Sequence, residues 1–210
     1  MARSVGRQIR KEEKRQKILK EATVLFAQNG YSETTIAMVA KAADISFGSV
    51  FSYFPSKEEL FAACVLEPLQ ELRPMFLGVK DETGPVVMVL AKMVERHVSY
   101  FCHQEPFLRL VQYVLGMPER FPKLFKELDG FVHEVVASLR PLLSRGQANK
   151  ELAVIDAELV TFSYMSFLIG IRLTVRDDVT HHIWRLLSKQ ALRLFGPLDE
   201  EIYTMIGKEG

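Results

Sequence analysis

Residues 25–61 read LFAQNGYSETTIAMVAKAADISFGSVFSYFPSKEELF, and this stretch carries the signals that decide the fold. Thr35 and Ser46 are typical N-cap residues, and each precedes a short apolar run that predicts a helix. Asp44 lies in the turn between the two helices, where a left-handed residue is needed and Asp tolerates that conformation. Two short helices joined by such a turn, with Val50 pointing inward, have the proportions of a helix-turn-helix.

The rest of the chain also shows helical spacing of its apolar residues, which predicts an all-α protein. Upstream, RQKILKEATVLFAQNG forms the first helix and ends at Gly30 in a left-handed cap. Downstream, Ser56 caps a connecting helix that Pro74 is expected to stop near Leu72. Further helices are predicted over residues 85–103, 106–116, 121–145, 156–176, 179–195 and 199–206. We therefore expect a three-helix N-terminal domain over residues 1–56 and a larger helical domain over residues 57–210.

The charges are divided unevenly between these two parts. Residues 1–57 hold ten Lys and Arg against five Asp and Glu, a net charge of +5, while the remaining residues hold 17 against 21, a net charge of −4. A basic head on a mildly acidic body indicates that the head binds a polyanion.

Several other classes of function lack their sequence signals. The chain has no nucleophile elbow, P-loop, dinucleotide-binding turn or HExxH motif, so we expect neither catalytic residues nor a metal or cofactor site. Cys64 and Cys102 form no disulfide framework, which favours a reducing compartment. The N-terminus has no apolar signal region, and the longest apolar run, PVVMVLA, is too short to span a bilayer. These features predict a cytoplasmic protein without a membrane segment.

The stretch quoted above resembles the N-terminal signature of the TetR/AcrR transcriptional regulators. The resemblance covers about residues 12–62 and consists of Gly30-Tyr31, Thr34-Thr35, Ala40, Gly48-Ser49, and Tyr53-Phe54 followed by Ser-Lys and an acidic pair. It implies a helix-turn-helix DNA-binding domain followed by a helical domain for ligand binding and dimerisation.

The resemblance also implies roles for individual residues. The base-facing positions of the recognition helix would be Phe47, Gly48, Phe51 and Ser52. The phosphate-contacting positions would be Thr35, Ser49, Tyr53 and Lys57. A basic arm lies ahead of or on the first helix, with Arg3, Arg7, Arg10 and Lys11 followed by Lys14, Arg15 and Lys17. It either lies along the DNA or remains a solvated, partly disordered tail.

Two of the base-facing positions depart from the family pattern. Phe51 stands where tyrosine is common, and neither this ring nor that of Phe47 offers a hydrogen bond. Such rings make only apolar contacts, for instance to a thymine methyl group. Specificity is therefore expected to depend on thymine methyls, groove shape and the basic arm.

The C-terminal helices are expected to enclose an effector pocket, again by resemblance. Candidate lining residues, chosen from aromatic stripes and scattered polar groups, are His97, Phe101, Phe107, Arg109, Tyr113, His133, Tyr164 and Phe167. Mostly aromatic walls predict an apolar or amphipathic small molecule. The resemblance further implies a homodimer that forms through the last two long helices, so that two recognition helices meet a near-palindromic double-stranded DNA operator.

Together these observations predict a ligand-responsive, DNA-binding repressor that is not an enzyme. The residues leave open an activator, or a regulator of the same fold that responds to no small molecule. The alternative from a different class is a helical enzyme or lipid-handling protein that reuses the fold. Membrane attachment through the basic arm is a further alternative.

Overall fold

A computed structural model describes residues 2–175 and 182–198, with the side chains of residues 2–4, 80 and 81 left aside. Over these ranges the chain forms helices and no β-sheet, which confirms the all-α prediction. The helices are α1 (Ala2–Glu33), α2 (Ile36–Ala42), α3 (Phe47–Phe51), α4 (Lys57–Leu77), α5 (Val86–Phe101), α6 (Glu105–Leu115), α7 (Pro122–Ala148), α8 (Ala157–Thr174) and α9 (Ile183–Arg193). The predicted tail helix over 199–206 lies outside the described residues.

The local signals of the N-terminal unit act as predicted, except that Ser46 precedes α3 without a capping bond from its side chain. The Thr35 hydroxyl accepts a hydrogen bond from the Met38 amide, and the Ser56 hydroxyl accepts one from the Glu59 amide, so both residues cap their helices. Asp44 adopts φ 56° in the turn, and Gly30 adopts φ 79° in α1. Each position therefore has the left-handed backbone that the sequence indicated.

The prediction that Pro74 stops the connecting helix is wrong. Helix α4 continues to Leu77 and contains both Pro68 and Pro74. Each proline removes one backbone hydrogen bond, but α4 buries apolar side chains on both sides of Pro74, including Leu72 and Phe76. The end of α4 is also held by side chains, since the Ser138 hydroxyl donates to the Leu77 carbonyl at 2.9 Å. Packing overrides the local preference here.

The N-terminal unit and the larger helical part share a core. Helix α1 packs against both α4 and α6, and α4 packs against α7. An aromatic cluster of Phe26, Tyr31, Phe61 and Phe121 joins α1 to α4 and to the segment between α6 and α7. The helix-turn-helix is therefore held by two helices of the larger part, not by α4 alone.

Gly146 of α7 marks the tightest packing among the described glycines. A Cβ there would lie 2.7 Å from Leu152 Cδ1 and 2.9 Å from Val86 Cγ1, and both of these side chains are buried. We expect Gly146→Ala to lower the free energy of unfolding by about 1–3 kcal/mol, because a filled site leaves no room for the methyl group. The matched control is Gly130→Ala in the same helix, where no atom lies within 4 Å. It should stabilise by about 0.5–1 kcal/mol, and urea unfolding that gave the two variants the same sign would contradict this account.

Candidate nucleic-acid interface

The turn between α2 and α3 fixes the direction in which α3 is presented. The Ile45 amide donates to the Ala40 carbonyl at 3.0 Å, which closes the turn against α2. Val50 is fully buried and Phe54 nearly so, and these two side chains anchor α3 to the core. The opposite face of this five-residue helix is thereby turned outward.

The four residues predicted to face bases lie on the outward face of α3 and at its C-cap, Ser52. Gly48 and Ser52 are exposed, Phe47 keeps 55% of its surface accessible and Phe51 keeps 40%. The two rings meet edge to face with their centroids 5.3 Å apart. Two accessible phenyl rings on so short a helix form an apolar spot in an otherwise polar region.

The four residues predicted to contact phosphate surround this face, and most already have an intramolecular partner. Thr35 is exposed and caps α2, and the Ser49 hydroxyl lies 2.6 Å from that of Ser46. The Lys57 ammonium donates to the Ser32 carbonyl at 3.1 Å and lies 4.5 Å from the centroid of the Tyr31 ring. Tyr53 is partly buried against the core. Their roles toward phosphate remain predictions.

The basic arm is a helix and not a separate tail over the described residues, because α1 runs without interruption from Ala2 to Gly30. Its outer turns and the end of α3 enclose an open groove of about 630 Å³ lined by Gly6, Arg7, Arg10, Lys11, Lys14, Ser52 and Tyr53. No acidic residue is among these lining residues. Of the predicted arm residues, Arg7, Arg10, Lys11 and Lys14 line this groove, while the side chain of Arg3 lies outside the described set.

The eight residues predicted to line an effector pocket do not form one cavity. Phe101 and Phe107 line an apolar cavity of about 50 Å³ in the helical interior. Arg109 and Tyr113 instead line an external groove against α1, and Arg109 is paired with Glu105 at 2.8 Å. The reason is helical geometry, since residues two positions apart on α6 point to nearly opposite faces.

The remaining predicted pocket residues are also dispersed. His133 is exposed, with its Nε2 3.7 Å from Asp129 Oδ2, and Phe167 is half-buried against the core. His97 and Tyr164 are fully buried, and the His97 Nδ1 lies 2.9 Å from the Tyr164 hydroxyl. Burial lowers the pKa of His97 to about 3, so this ring is neutral near pH 7. A neutral histidine between fixed partners is a structural element and not a ligand-binding charge.

The contacts between the N-terminal unit and the segment before α7 were not predicted from the sequence. The Tyr31 hydroxyl donates to the Glu58 carboxylate at 2.8 Å, and burial together with this bond raises the pKa of Tyr31 to about 12. Arg120 donates to the Ser32 hydroxyl at 3.1 Å and lies 5.0 Å from the centroid of the Tyr31 ring. Tyr31 belongs to the recognised signature, but nothing near Arg120 indicated its partner.

The part of the chain that the structure describes offers neither a metal site nor a membrane-spanning helix. No group of three or more His, Cys, Asp or Glu side chains is placed to hold a metal ion in residues 2–175 and 182–198. In the same ranges no helix has both the length and the apolar character needed to cross a bilayer.

Comparison with known proteins agrees with the geometry of the N-terminal unit. Residues 18–64, which contain the helix-turn-helix and the start of α4, match the family model described as bacterial regulatory proteins, tetR family. Over these residues the chain carries the N-terminal domain that this family model describes. The resemblance stated from the sequence is thereby confirmed, and this family consists of transcriptional regulators.

Curated relatives named as transcriptional regulators and repressors match parts of the chain of different length. The uncharacterized HTH-type transcriptional regulator YhgD of Bacillus subtilis (strain 168) is 41% identical over 56 residues, which cover 27% of this chain and 29% of that protein. An Escherichia coli (strain K12) protein named "Probable acrEF/envCD operon repressor" is 28% identical over 101 residues, 46% of each chain. The chain spans less than a third of the length of the first curated relatives that it matches.

Solved structures extend the likeness to the whole TetR fold. The crystal structure of AibR in complex with isovaleryl coenzyme A and operator DNA has a TM-score of 0.70 and 16% identity. The match covers 88% of this chain and all of that one. At this identity the likeness concerns the fold.

Proposed function

We propose that this protein is a homodimeric transcriptional repressor that binds a near-palindromic DNA operator and is released from it by a small apolar or amphipathic molecule. The observation that carries the proposal is the position of the outward face of α3 beside the basic groove of the α1 arm. Such a regulator needs two parts: a helix that enters the major groove, and cations that neutralise the flanking phosphates. We assign DNA binding to residues 1–56, and ligand binding and dimerisation to residues 57–210.

Dimerisation through α8 and α9 is supported by apolar side chains that remain accessible on these helices. Leu159 keeps 69% of its surface accessible and Leu186 keeps 50%, and Phe162 of α8 is also exposed. Large accessible apolar side chains on two long helices suit a self-complementary interface. A two-fold dimer would present two copies of α3 to successive major grooves.

The effector is proposed to enter the interior cavity. All twelve lining residues are apolar, and they come from five helices: Leu69, Leu72, Phe101, Phe107, Leu108, Val111, Leu115, Leu128, Phe131, Val132, Met165 and Ile169. Its volume of about 50 Å³ admits few atoms, so a larger ligand must push its walls apart. Leu69 and Leu72 belong to α4, which begins directly after the helix-turn-helix, so expansion would move the DNA-binding unit.

Ligand binding in the expanded form would favour a conformer that fits DNA less well. A coupling free energy of about 1–3 kcal/mol corresponds to roughly 5–150-fold weaker operator binding. The AibR complex, which contains isovaleryl coenzyme A together with operator DNA, supports the proposal that a protein of this fold takes both a small molecule and DNA. The name of the Escherichia coli relative supports repression over activation.

The decisive experiment is selection of genomic fragments by the purified protein, followed by footprinting and by sizing of the protein–DNA complex. We expect a near-palindromic footprint with half-sites about one helical turn apart, bound by a dimer. The recovered operator then serves to screen apolar compounds for release. A reporter fused to the neighbouring promoter separates repression from activation. A protein that prefers no duplex over random competitor at moderate salt would contradict the proposal.

A further inference from the structure

The outward face of α3 offers few groups that hydrogen-bond to base edges. Phe47, Gly48 and Phe51 have no side-chain donor or acceptor, and the Ser49 hydroxyl lies 2.6 Å from that of Ser46. Ser52 alone among the four base-facing residues carries a hydroxyl, which is compatible with any base because it both donates and accepts. Hydrogen bonding from this face therefore discriminates weakly between base pairs.

The phenyl rings supply the missing discrimination if they meet an apolar group. In the major groove that group is the C5 methyl of thymine, since the other base-edge groups there are hydrogen-bond donors and acceptors. Phe47 and Phe51 are one helical turn apart and stay accessible as a pair. Contact with methyl groups would remove both rings from water without leaving a polar base atom unpaired.

The spacing of the rings corresponds to that of neighbouring bases. Their centroids are 5.3 Å apart. Successive bases on one strand rise by about 3.4 Å, and the twist of about 10 base pairs per turn places the methyl groups of adjacent thymines roughly 5 Å apart. One ring per methyl group is thus geometrically matched.

We propose that Phe47 and Phe51 read the C5 methyl groups of two adjacent thymines on one strand of each half-site, and that 5-methylcytosine serves better than cytosine at these positions. This inference rests on the proposed DNA-binding function and specifies what the recognition helix selects. The basic groove beside the rings favours DNA as the occupant, because Arg7, Arg10, Lys11 and Lys14 supply cations for the phosphates on the same side.

The test uses the selected operator with single thymines replaced by uracil, which removes only the methyl group. Binding of the full chain is measured by fluorescence anisotropy at fixed salt. At two adjacent positions in each half-site we expect about fourfold weaker binding per lost methyl, and little effect elsewhere. Replacing a sensitive thymine by cytosine should weaken binding more than replacing it by 5-methylcytosine.

Variants assign each methyl group to a ring. Phe51→Ala should bind the thymine and uracil operators equally at one of the two positions, and Phe47→Ala should do so at the other. Ser52→Ala, on the same face, is the matched control and should keep the full loss at both positions. Since Phe47 and Phe51 are accessible, thermal unfolding of the variants should stay close to that of the wild type.

The outcomes separate this inference from the proposed function. A protein that selects an operator without adjacent thymines, or that binds thymine and uracil equally, retains the proposed function but overturns the inference. A protein that selects no duplex overturns both. Binding to anionic vesicles that Phe47→Ala and Phe51→Ala abolish, together with unchanged duplex binding, would assign the ring pair to a membrane and also overturn the inference.

Discussion

Replacing Arg7, Arg10, Lys11 and Lys14 together by alanine is expected to weaken binding to operator and random duplex alike, by roughly 10²–10³-fold at 0.1 M salt. These four cations line the groove beside α3 without an acidic residue among its walls. Each cation that neutralises a phosphate releases counterions, so the slope of log K against log salt should fall by up to about 3.6. The measurement is a salt titration of binding to both duplexes.

The matched control is a pair of double variants, each of which removes two charges, one pair outside the arm and one within it. Lys92 in α5 and Arg140 in α7 are exposed, and their double alanine variant should leave the salt slope close to that of the wild type. It is compared with Arg7→Ala/Arg10→Ala, for which the slope should fall by about 1.8. Alanine suits an exposed helix, so folding should be unaffected. Equal slopes in the two double variants would mean that the arm is only solvated.

Lowering the pH from 7 to 5 is expected to reduce the free energy of unfolding by about 2 kcal/mol through His97 alone. Its ring is fully buried between Tyr164 and the Met75 carbonyl, stacks on Phe76, and has a pKa of about 3 because burial disfavours the charged form. The nearby Arg96 guanidinium also lowers this pKa. The unfolded chain, with an ordinary histidine pKa near 6.5, takes up a proton between these two values, whereas the folded chain does not.

The sign of the effect follows from this difference in proton uptake. The stability contributed by the neutral ring is complete above about pH 6.5 and is lost as the pH falls toward 3, by roughly 5 kcal/mol in total. Urea unfolding at pH 7.5, 6 and 5 measures it. His97→Gln should be less stable at neutral pH but should lose less on acidification, and the exposed His133→Gln should follow the wild type. A parallel loss in wild type and His97→Gln would exclude His97 as the cause.

The helix-turn-helix could be predicted from sequence because its signals are local. Thr35 and Ser56 cap their helices through bonds to residues three positions away, and Asp44 sets a single turn. The exposure of Phe47 and Phe51 could be predicted for the same reason, since Val50 and Phe54 fix which side of α3 faces the core.

The larger helical part could be predicted only as a set of helices. The end of α4 depends on a contact with Ser138, far along the chain. Pro74 alone therefore predicted the wrong end for this helix. The predicted pocket residues are dispersed for a related reason. Helical spacing groups residues by face but does not say which helix that face meets, so Arg109 and His133 were grouped with residues of the interior.

The continuity of α1 has a consequence for how the arm is positioned. From Ala2 to Gly30 the arm and the first helix of the DNA-binding unit are one rod, and the ion pair of Arg15 with Glu67 fastens this rod to α4. The direction in which the side chains of the arm point is therefore fixed relative to α3. One residue inserted after Lys14 would rotate the arm by about 100° around the axis of α1. An arm that is already helical loses little conformational entropy when it binds DNA. It also has little freedom to adapt to a change in the path of the DNA backbone.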